Sequence, residues 1–246
     1  MKIELCRSFS ELDLSAAETV VEILSRALVN KTLVSIVLSG GSTPRALYEL
    51  LAGPKYRDRI AWDKLLVFFG DERCVPPDDP ESNYKMAYDG LLSRVPIPEE
   101  NIFRLKGESD PPKAAMDYEE IVKTVLGKKP RFDLVLLGMG TDGHTASLFP
   151  ATAALHETEK MVVANYVDKL NAWRLTLTIP VFNSAQNVVF LVSGKDKAEA
   201  VRFVFTGDSL PPLPVQLIKP DEGNVIWFLD KEAASLLDET TLKNFS

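Results

Sequence analysis

The chain has 246 residues, a formal net charge of −7 and a hydrophobic content of 46%. This length fits one large α/β domain or two modest ones, and the apolar content is ample for a buried core. The negative charge gives no electrostatic support for a nucleic-acid partner. The two cysteines, Cys6 and Cys74, are far apart in sequence and predict free thiols in a reducing compartment.

No apolar run in the sequence is long enough to cross a bilayer. The residues that follow Met1 also lack the pattern of a signal peptide. We therefore expect a cytoplasmic protein with no membrane partner.

Strand-like and helix-like patterns alternate along the chain. In order, the sequence predicts a helix at 10–30, a strand at 32–38, a helix at 44–51, a strand at 65–69, a helix ending near 92, a short strand at 102–105 and a helix at 111–126. Strands at 134–137, 161–166, 174–179 and 187–192 follow, then a helix at about 195–205, a strand at 225–229 and a helix at 231–237. This alternation is typical of a Rossmann-like α/β fold, with a doubly wound, mostly parallel sheet and helices on both faces.

The proline-rich segment 210–214 is the one place that resembles a domain linker. A strand and a helix are still predicted after it, so we interpret it as a loop. Residues 1–246 are therefore expected to form a single domain.

A turn of sequence Ser-Gly-Gly-Ser-Thr-Pro, residues 39–44, joins the predicted strand 32–38 to a helix. Pro44 suits the first turn of that helix, with Thr43 as its N-cap. Backbone N–H groups are unpaired at such a helix start, and the helix dipole favours an anion. The turn predicts a phosphate cradle, although an ordinary tight turn is the alternative. The cradle residues are Gly40, Gly41, Ser42 and Thr43.

Charged residues follow two other predicted strands. Asp71, Glu72 and Arg73 come directly after the strand 65–69, where they would face the same crevice as the first turn, or else form a solvated loop. The segment 193–197 is a third strand–glycine–helix junction, and it contains two lysines.

The stretch 132–150 organises the chain. An apolar strand at 134–137 leads into three glycines, with Asp142 and His144 two residues apart. A glycine-rich turn at the end of a buried strand lies where ligands bind in α/β sheets, and glycine lets the backbone approach a ligand closely. A histidine has an ordinary pKa of about 6.5 and can accept a proton from water at neutral pH. We predict that His144 is a catalytic base; the alternative is that it only hydrogen-bonds its own loop.

Other chemistries have less support. Residues 138–143 match the G-x-G-x-x-G pattern of dinucleotide-binding proteins, but Pro150 leaves no room for the helix that carries the pyrophosphate, and Asp142 would repel it. The second histidine, His156, is expected at the surface, so no metal site is predicted. Ser147 is a conceivable nucleophile, yet it is not in a Gly-x-Ser-x-Gly elbow, which favours water as the nucleophile.

Taken together, these segments resemble the 6-phosphogluconolactonase family, within a larger group that includes the glucosamine-6-phosphate deaminases. The segments that carry the resemblance are 39–44, 70–73, 82–84, 138–150 and 174–176. Their order and separation also fit, so the ordered set is specific and covers nearly the whole chain.

The resemblance implies hydrolysis of 6-phospho-D-glucono-1,5-lactone to 6-phosphogluconate in the pentose phosphate pathway, without a cofactor or a redox step. It implies that Gly41, Ser42 and Thr43 hold the 6-phosphate, helped by Arg174 and Lys197. It also implies a small-molecule sugar phosphate lactone as the partner. Separately, we expect a monomer or weak homo-oligomer.

The resemblance further implies that His144 activates water and that Arg73 binds or polarises the substrate. Asp71 and Asp142 correspond to acidic positions that the deaminases use for proton shuttling and ring opening. The deaminase branch has a Glu shortly before the proline, where this chain has Phe149. This difference favours the lactonase over two alternatives, a deaminase or isomerase and a non-catalytic sugar-phosphate sensor.

Overall fold

The structure, a computed structural model, describes residues 1–244. The strands are β1 (Lys2–Cys6), β2 (Val34–Leu38), β3 (Leu65–Phe69), β4 (Asp71–Arg73), β5 (Leu134–Leu137), β6 (Val162–Val167), β7 (Ala172–Leu177), β8 (Asn187–Val192) and β9 (Asn224–Asp230). The helices are α1 (Phe9–Leu28), α2 (Ser42–Leu51), α3 (Asn83–Gly90), α4 (Pro111–Leu126), α5 (Ile179–Asn183), α6 (Ala198–Thr206) and α7 (Glu239–Asn244). Short 3₁₀ turns join several of these elements.

Six strands form a parallel sheet in the order β1-β9-β8-β5-β2-β3. From β2 the chain passes through α2 to β3 at one edge, and it then returns through α4 to β5 on the other side of β2. Because parallel crossovers are right-handed, crossovers that run in opposite directions place their helices on opposite faces of the sheet. The predicted doubly wound, mostly parallel α/β fold is confirmed.

The central strands are apolar because both faces of the sheet are covered. Every residue of β2, β3 and β5 is buried, as expected for parallel strands. On α1 the apolar residues recur at helical spacing, and Leu12, Ala16, Val20 and Leu24 are buried. This face of α1 packs against the sheet, and α1 also contacts α2.

A second, antiparallel sheet has the order β4-β7-β6. Its strand β4 follows β3 after one residue, Gly70, so the charged residues 71–73 continue the chain into this sheet. Asp71 and Glu72 are 6% and 2% exposed. The solvated-loop alternative for these residues is therefore wrong, since both carboxylates are buried and hydrogen-bonded.

The strands at 65–69, 134–137 and 187–192 and the helix at 111–126 have their predicted bounds. Two other elements were predicted wrongly. Residues 231–237 form turns rather than a helix. The Asp230 carboxylate accepts from the N–H of Ala233 as a helix N-cap does, but after one i→i+4 backbone bond, from Ala234 to Asp230, the backbone bonds are i→i+3 and no α-helix continues. Residues 102–105 form a single bridge, between Val67 and Ile102, and then leave the sheet.

The start of α2 also differs from the prediction. The helix begins at Ser42 with Gly41 as its N-cap, so Thr43 lies inside the first turn. The reason is the φ angle of 111° at Gly41, which turns the backbone toward the helix before Thr43 is reached. Over residues 1–244 no helix is long and apolar enough to cross a membrane.

One carboxyl group of α1 is buried without a full set of partners. Asp13 is 8% exposed, and its Oδ1 has no hydrogen-bond partner among residues 1–244. Burial raises the pKa of this carboxyl from 3.8 to about 6. The ionised form is therefore less favourable in the folded chain than in the unfolded chain.

Replacing this carboxyl by an amide, Asp13→Asn, should stabilise the protein at neutral pH. Because the pKa of Asp13 is higher in the folded state, its contribution to stability is lost as the pH rises from about 4 to about 6. The variant removes that loss, so its free energy of unfolding should exceed that of the wild type by about 1–3 kcal/mol at pH 7.5 and match it at pH 4. Urea unfolding at the two pH values measures the difference.

Asp58→Asn is the matched control, because Asp58 is exposed. Its free energy of unfolding should stay within about 0.5 kcal/mol of the wild type at both pH values. Equal effects of Asp13→Asn at pH 4 and pH 7.5 would contradict the role assigned to burial.

Candidate active site

The reversal of winding at β2 leaves a crevice at the carboxyl ends of β2 and β5, where open α/β sheets bind ligands. A cavity of about 230 Å³ lies at this edge. Its walls come from the segments that follow β2, β3, β5 and β8. The lining includes Gly40, Gly41, Ser42, Thr43, Asp71, Arg73, His144 and Lys197.

The turn between β2 and α2 has backbone N–H groups that no protein acceptor takes. The hydroxyl of Tyr48 accepts from the N–H of Ser39 and donates to its carbonyl oxygen, both at 2.9 Å, which fixes the end of β2. The N–H groups of Gly41, Ser42 and Thr43 then have no acceptor in the part of the chain that the structure describes. With the dipole of α2, these N–H groups can hold an anion.

Asn83 connects this turn to β4. Its Nδ2 donates to the backbone oxygen of Asp71 at 3.0 Å and to Asp71 Oδ1 at 3.1 Å. On its other side, a Cβ atom at Gly40 would overlap the Asn83 amide. Gly40 is therefore needed because the two junctions approach each other closely.

Glu72 fixes the position of Asn83. Its buried carboxylate accepts from the N–H groups of Arg73, Asn83 and Tyr84 and from the hydroxyl of Ser82. Burial raises the pKa of this carboxyl, while the N–H donors oppose the rise. Because Glu72 does not line the cavity and both of its carboxylate oxygens have donors, it holds β4 against the start of α3 and leaves the chemistry to other residues.

Asp71 places a carboxyl group at the cavity. Its Oδ2 accepts from the hydroxyl of Ser147 at 2.7 Å. Burial raises the pKa of Asp71 above its ordinary value, despite the Ser147 hydrogen bond and the positive charges of Arg73 and Arg174. The protonated form, which can donate a hydrogen bond, is therefore favoured relative to an exposed aspartate.

His144 is held by residues of its own loop. Its Nδ1 lies 2.5 Å from Oδ1 of Asp142, and its backbone N–H donates to the same oxygen at 3.2 Å. Because a carboxylate accepts at Nδ1, that nitrogen carries the proton and Nε2 is left as an acceptor. The imidazole stacks on Phe149 with ring centroids 4.1 Å apart. A Cβ atom at Gly140 would overlap the imidazole, so this position also requires glycine.

Asp142 is itself paired on its second oxygen. Its Oδ2 accepts from Nζ of Lys169, which lies in the turn between β6 and β7. Burial raises the pKa of Asp142, but the hydrogen bonds from His144 and Lys169 outweigh burial and hold it well below its usual range. Asp142 is therefore an anion at neutral pH, which allows it to stabilise a protonated imidazole.

Two arginines lie side by side on β4 and β7. Arg73 lines the cavity, and its Nη1 donates to the carbonyl oxygen of Glu81. Arg174 is its cross-strand partner and is not part of the cavity lining. Burial and the charge of Arg73 lower the pKa of Arg174. Arg174 therefore adds positive potential beside Asp71 rather than a direct contact with the cavity.

Lys197 reaches the cavity from the junction between β8 and α6. This junction is anchored by Asp230 at the end of β9, whose carboxylate accepts from the hydroxyl of Ser193 and the N–H of Gly194. Gly194 then turns with a φ of 101°. Asp230 therefore helps to place Lys197 at the cavity that residues 40–43 also line.

The structure brings together at one cavity all the predicted site residues except Asp142, which contacts His144 from behind, and Arg174. Sequence reasoning missed two residues that hold the site, Asn83 and Lys169, and considered Ser147 only as a nucleophile, whereas its hydroxyl donates to Asp71. Asn83 and Ser147 lie in segments that carry the family resemblance, whereas Lys169 has no local signal. In the described residues no group of three His, Cys, Asp or Glu side chains could hold a metal ion.

Comparisons with known proteins agree on one family. A sequence profile described as glucosamine-6-phosphate isomerases/6-phosphogluconolactonase matches residues 7–227. The 6-phosphogluconolactonase of a Synechocystis species is 42% identical over 220 residues, which cover 87% of this chain and 89% of that protein. The probable 6-phosphogluconolactonase 1 of Arabidopsis thaliana is 36% identical, and the alignment covers 96% of this chain and 94% of that protein.

A solved structure gives the same result. The 6-phosphogluconolactonase from Trypanosoma cruzi has a TM-score of 0.83 and an identity of 36%, with 96% of both chains covered. The chain therefore belongs to the glucosamine-6-phosphate isomerase/6-phosphogluconolactonase family.

Proposed function

We propose that this chain hydrolyses 6-phospho-D-glucono-1,5-lactone to 6-phospho-D-gluconate, the reaction for which its lactonase relatives are named. One observation carries the proposal: an imidazole bound to a carboxylate at Nδ1 lines the same cavity as an unpaired helix N-terminus. Such a cavity suits a substrate with a phosphate at one end and a reactive carbonyl at the other. We expect the protein to act in the cytoplasm, in the pentose phosphate pathway, as a monomer or weak homo-oligomer without a cofactor.

The phosphate binds in the cradle at the start of α2. The free N–H groups of Gly41, Ser42 and Thr43 donate to its oxygens, and Lys197, which lines the same cavity, supplies a positive charge. This contact lies away from the reacting carbonyl and fixes the position of the ring relative to His144.

His144 acts as the general base. Its Nε2 takes a proton from water as the water oxygen attacks the lactone carbonyl carbon, and the positive charge that forms on the imidazole faces Asp142. The tetrahedral oxyanion then collapses, the bond from the carbonyl carbon to the ring oxygen breaks, and that oxygen takes the proton that His144 Nε2 carries. The carboxylic acid formed at the carbonyl carbon then releases its own proton to solvent. The product is the open-chain carboxylate.

Arg73 stabilises the oxyanion. Its guanidinium lines the cavity close to Asp71, and the neighbouring Arg174 strengthens the positive potential there. Loss of one such donor typically costs roughly 3–4 kcal/mol of transition-state stabilisation. Asp71 has a raised pKa, which suits a hydrogen-bond donor to the substrate or to the leaving ring oxygen.

Phe149 favours lactone hydrolysis over the deaminase alternative. The Phe149 ring stacks on His144. The family resemblance implies that the deaminases have a glutamate near this position, shortly before the proline. Without a carboxylate at that position, no second acid group is placed to relay a proton through His144. Lactone hydrolysis needs one base, and the pairing of His144 with Asp142 supplies it. A sugar-phosphate sensor would have no use for such a base.

His144→Ala should lower kcat for lactone hydrolysis by roughly 10²–10⁴-fold, because it removes the group that takes a proton in the transition state. KM should change little, since the phosphate contacts remain. Proton release from freshly made lactone, read with a pH indicator and corrected for spontaneous hydrolysis, measures both constants.

The second histidine provides a matched control. His156 is exposed and outside the cavity, so His156→Ala should keep the wild-type constants. A wild-type protein that does not accelerate proton release would refute the proposed function. Full turnover in His144→Ala would refute the assigned base.

Lys197→Ala should raise KM by about 10–100-fold and leave kcat nearly unchanged, because it removes a charged contact made equally to bound substrate and transition state. Lys195→Ala is the control from the same turn, since Lys195 is exposed and does not line the cavity. The steady-state constants of both variants test the assignment, and equal effects of the two substitutions would contradict it.

A further inference from the structure

Lys169 is the one residue from the turn between β6 and β7 that contacts the pair formed by Asp142 and His144 among residues 1–244. Its Nζ bonds Oδ2 of Asp142, while His144 Nδ1 bonds Oδ1 of the same carboxylate. The carboxylate is therefore shared between an ammonium group and an imidazole, one on each oxygen. Lys169 itself does not line the cavity.

The contact has a second component. Nζ of Lys169 lies 5.0 Å from the centroid of the Phe149 ring, the ring on which the imidazole stacks. An ammonium group at this distance from an aromatic face is attracted by it. Lys169 therefore has two partners, Asp142 and Phe149, and both of them also contact His144.

The positive charge of Lys169 affects how readily His144 is protonated. An imidazole next to an anionic carboxylate gains a proton more readily, because the carboxylate favours the charged form. A bound phosphate ester adds to this tendency. A protonated imidazole cannot act as a base, so His144 needs a positive charge that offsets Asp142 without blocking Nε2.

The charged groups near His144 come from several elements. They are Asp142 on its own loop, Asp71 and Arg73 on β4, Arg174 on β7, Lys197 at the start of α6 and Lys169. The segment 209–217, which packs against Gly143, has no titratable side chain. Of the cations in this set, Lys169 is the one that bonds Asp142 directly.

We propose that Lys169 is a positioning residue that keeps His144 neutral and ready to accept a proton, by holding one oxygen of Asp142 while the other oxygen holds Nδ1. The inference rests on the proposed role of His144 as the base. Lys169 acts through Asp142 and does not touch the substrate.

The titration of His144 gives a direct test that does not depend on catalysis. The chain has two histidines, so its proton NMR spectrum contains two imidazole Cε1–H signals, and the His156→Gln variant assigns them. Lys169→Met keeps an unbranched side chain and removes the charge. In this variant the midpoint of the His144 titration curve, read from the chemical shift of its Cε1–H signal, should move to higher pH by about 0.5–1 unit. The His156 signal in the same sample serves as an internal control, and its midpoint should not move.

Two further variants separate charge from structure. Lys169→Arg keeps the positive charge and should retain the wild-type midpoint of His144. Lys160→Met removes an exposed lysine at the start of the same β6–β7 hairpin and should also leave that midpoint unchanged. An unmoved or lowered midpoint in Lys169→Met overturns the proposal.

The rate profile provides the second readout. In Lys169→Met the acid limb of kcat/KM should shift upward by the same 0.5–1 unit, so that activity at pH 6 falls about 3–10-fold while activity at high pH approaches that of the wild type. If kcat/KM fell equally at every pH and the acid limb of the profile did not shift, the role of Lys169 would be merely structural, which would contradict the proposal.

The two proposals can fail separately. If the wild type does not hydrolyse the lactone, or if His144→Ala retains turnover, then the proposed function is wrong. The NMR titration still decides in that case whether Lys169 controls the protonation of His144.

Discussion

The site depends on one feature of the sheet: the chain adds β3 on one side of β2 and later adds β5 on the other side. The chain leaves β2 toward β3, and β5 is added on the other side of β2, so the loops after β2 and β5 are neighbours although about a hundred residues separate them. Close approach then determines residue type. Gly40 makes room for Asn83, and Gly140 makes room for His144.

The two carboxyl groups near the imidazole, Asp142 and Asp71, have pKa values that their surroundings shift in opposite directions. Asp142 is bonded by His144 and Lys169, so its pKa is lowered and it remains an anion. Asp71 is buried with a hydroxyl donor, and its pKa is raised. Environments that separate the pKa values of two acids in this way are how enzymes assign different roles to the same chemical group. In an acidic protein with a net charge of −7, this also limits the negative charge facing an anionic substrate.

Sequence patterns predicted the elements whose environment is uniform. β3, β5 and β8 are buried on both faces and α4 has a clear apolar stripe, so their bounds could be read from local composition. The strand β1 was missed, although its alternation of charged and apolar residues is typical of a half-buried strand, whereas β4 could not be predicted because it is three residues long and charged. For residues 231–237 the sequence predicts a helix, but the chain makes a single i→i+4 backbone bond, from Ala234 to Asp230, and then continues with i→i+3 turns.

In the site, too, some residues could be predicted from local sequence and others could not. Gly41, Asp71, His144 and Lys197 lie in the segments that follow strands of the parallel sheet, which brings those segments to one edge of the sheet. Lys169 comes from a hairpin of the second sheet, and nothing in its local sequence indicates which carboxylate it reaches. Tertiary juxtaposition of this kind depends on how the two sheets pack, which hydrophobic periodicity does not encode.

The pairing of strands also determines which two loops face each other at the cavity. β2 and β5 are adjacent, with Ile36 opposite Leu134, and adjacent strands lie about 4.8 Å apart. The orientation of the imidazole is determined by Asp142, Phe149 and Gly140, all within the loop after β5, while the anion cradle belongs entirely to the turn after β2. The separation between His144 and the N–H groups at the start of α2 therefore depends on one sheet spacing and on the two loops. In the proposed function these are the two points that the phosphorylated lactone ring bridges.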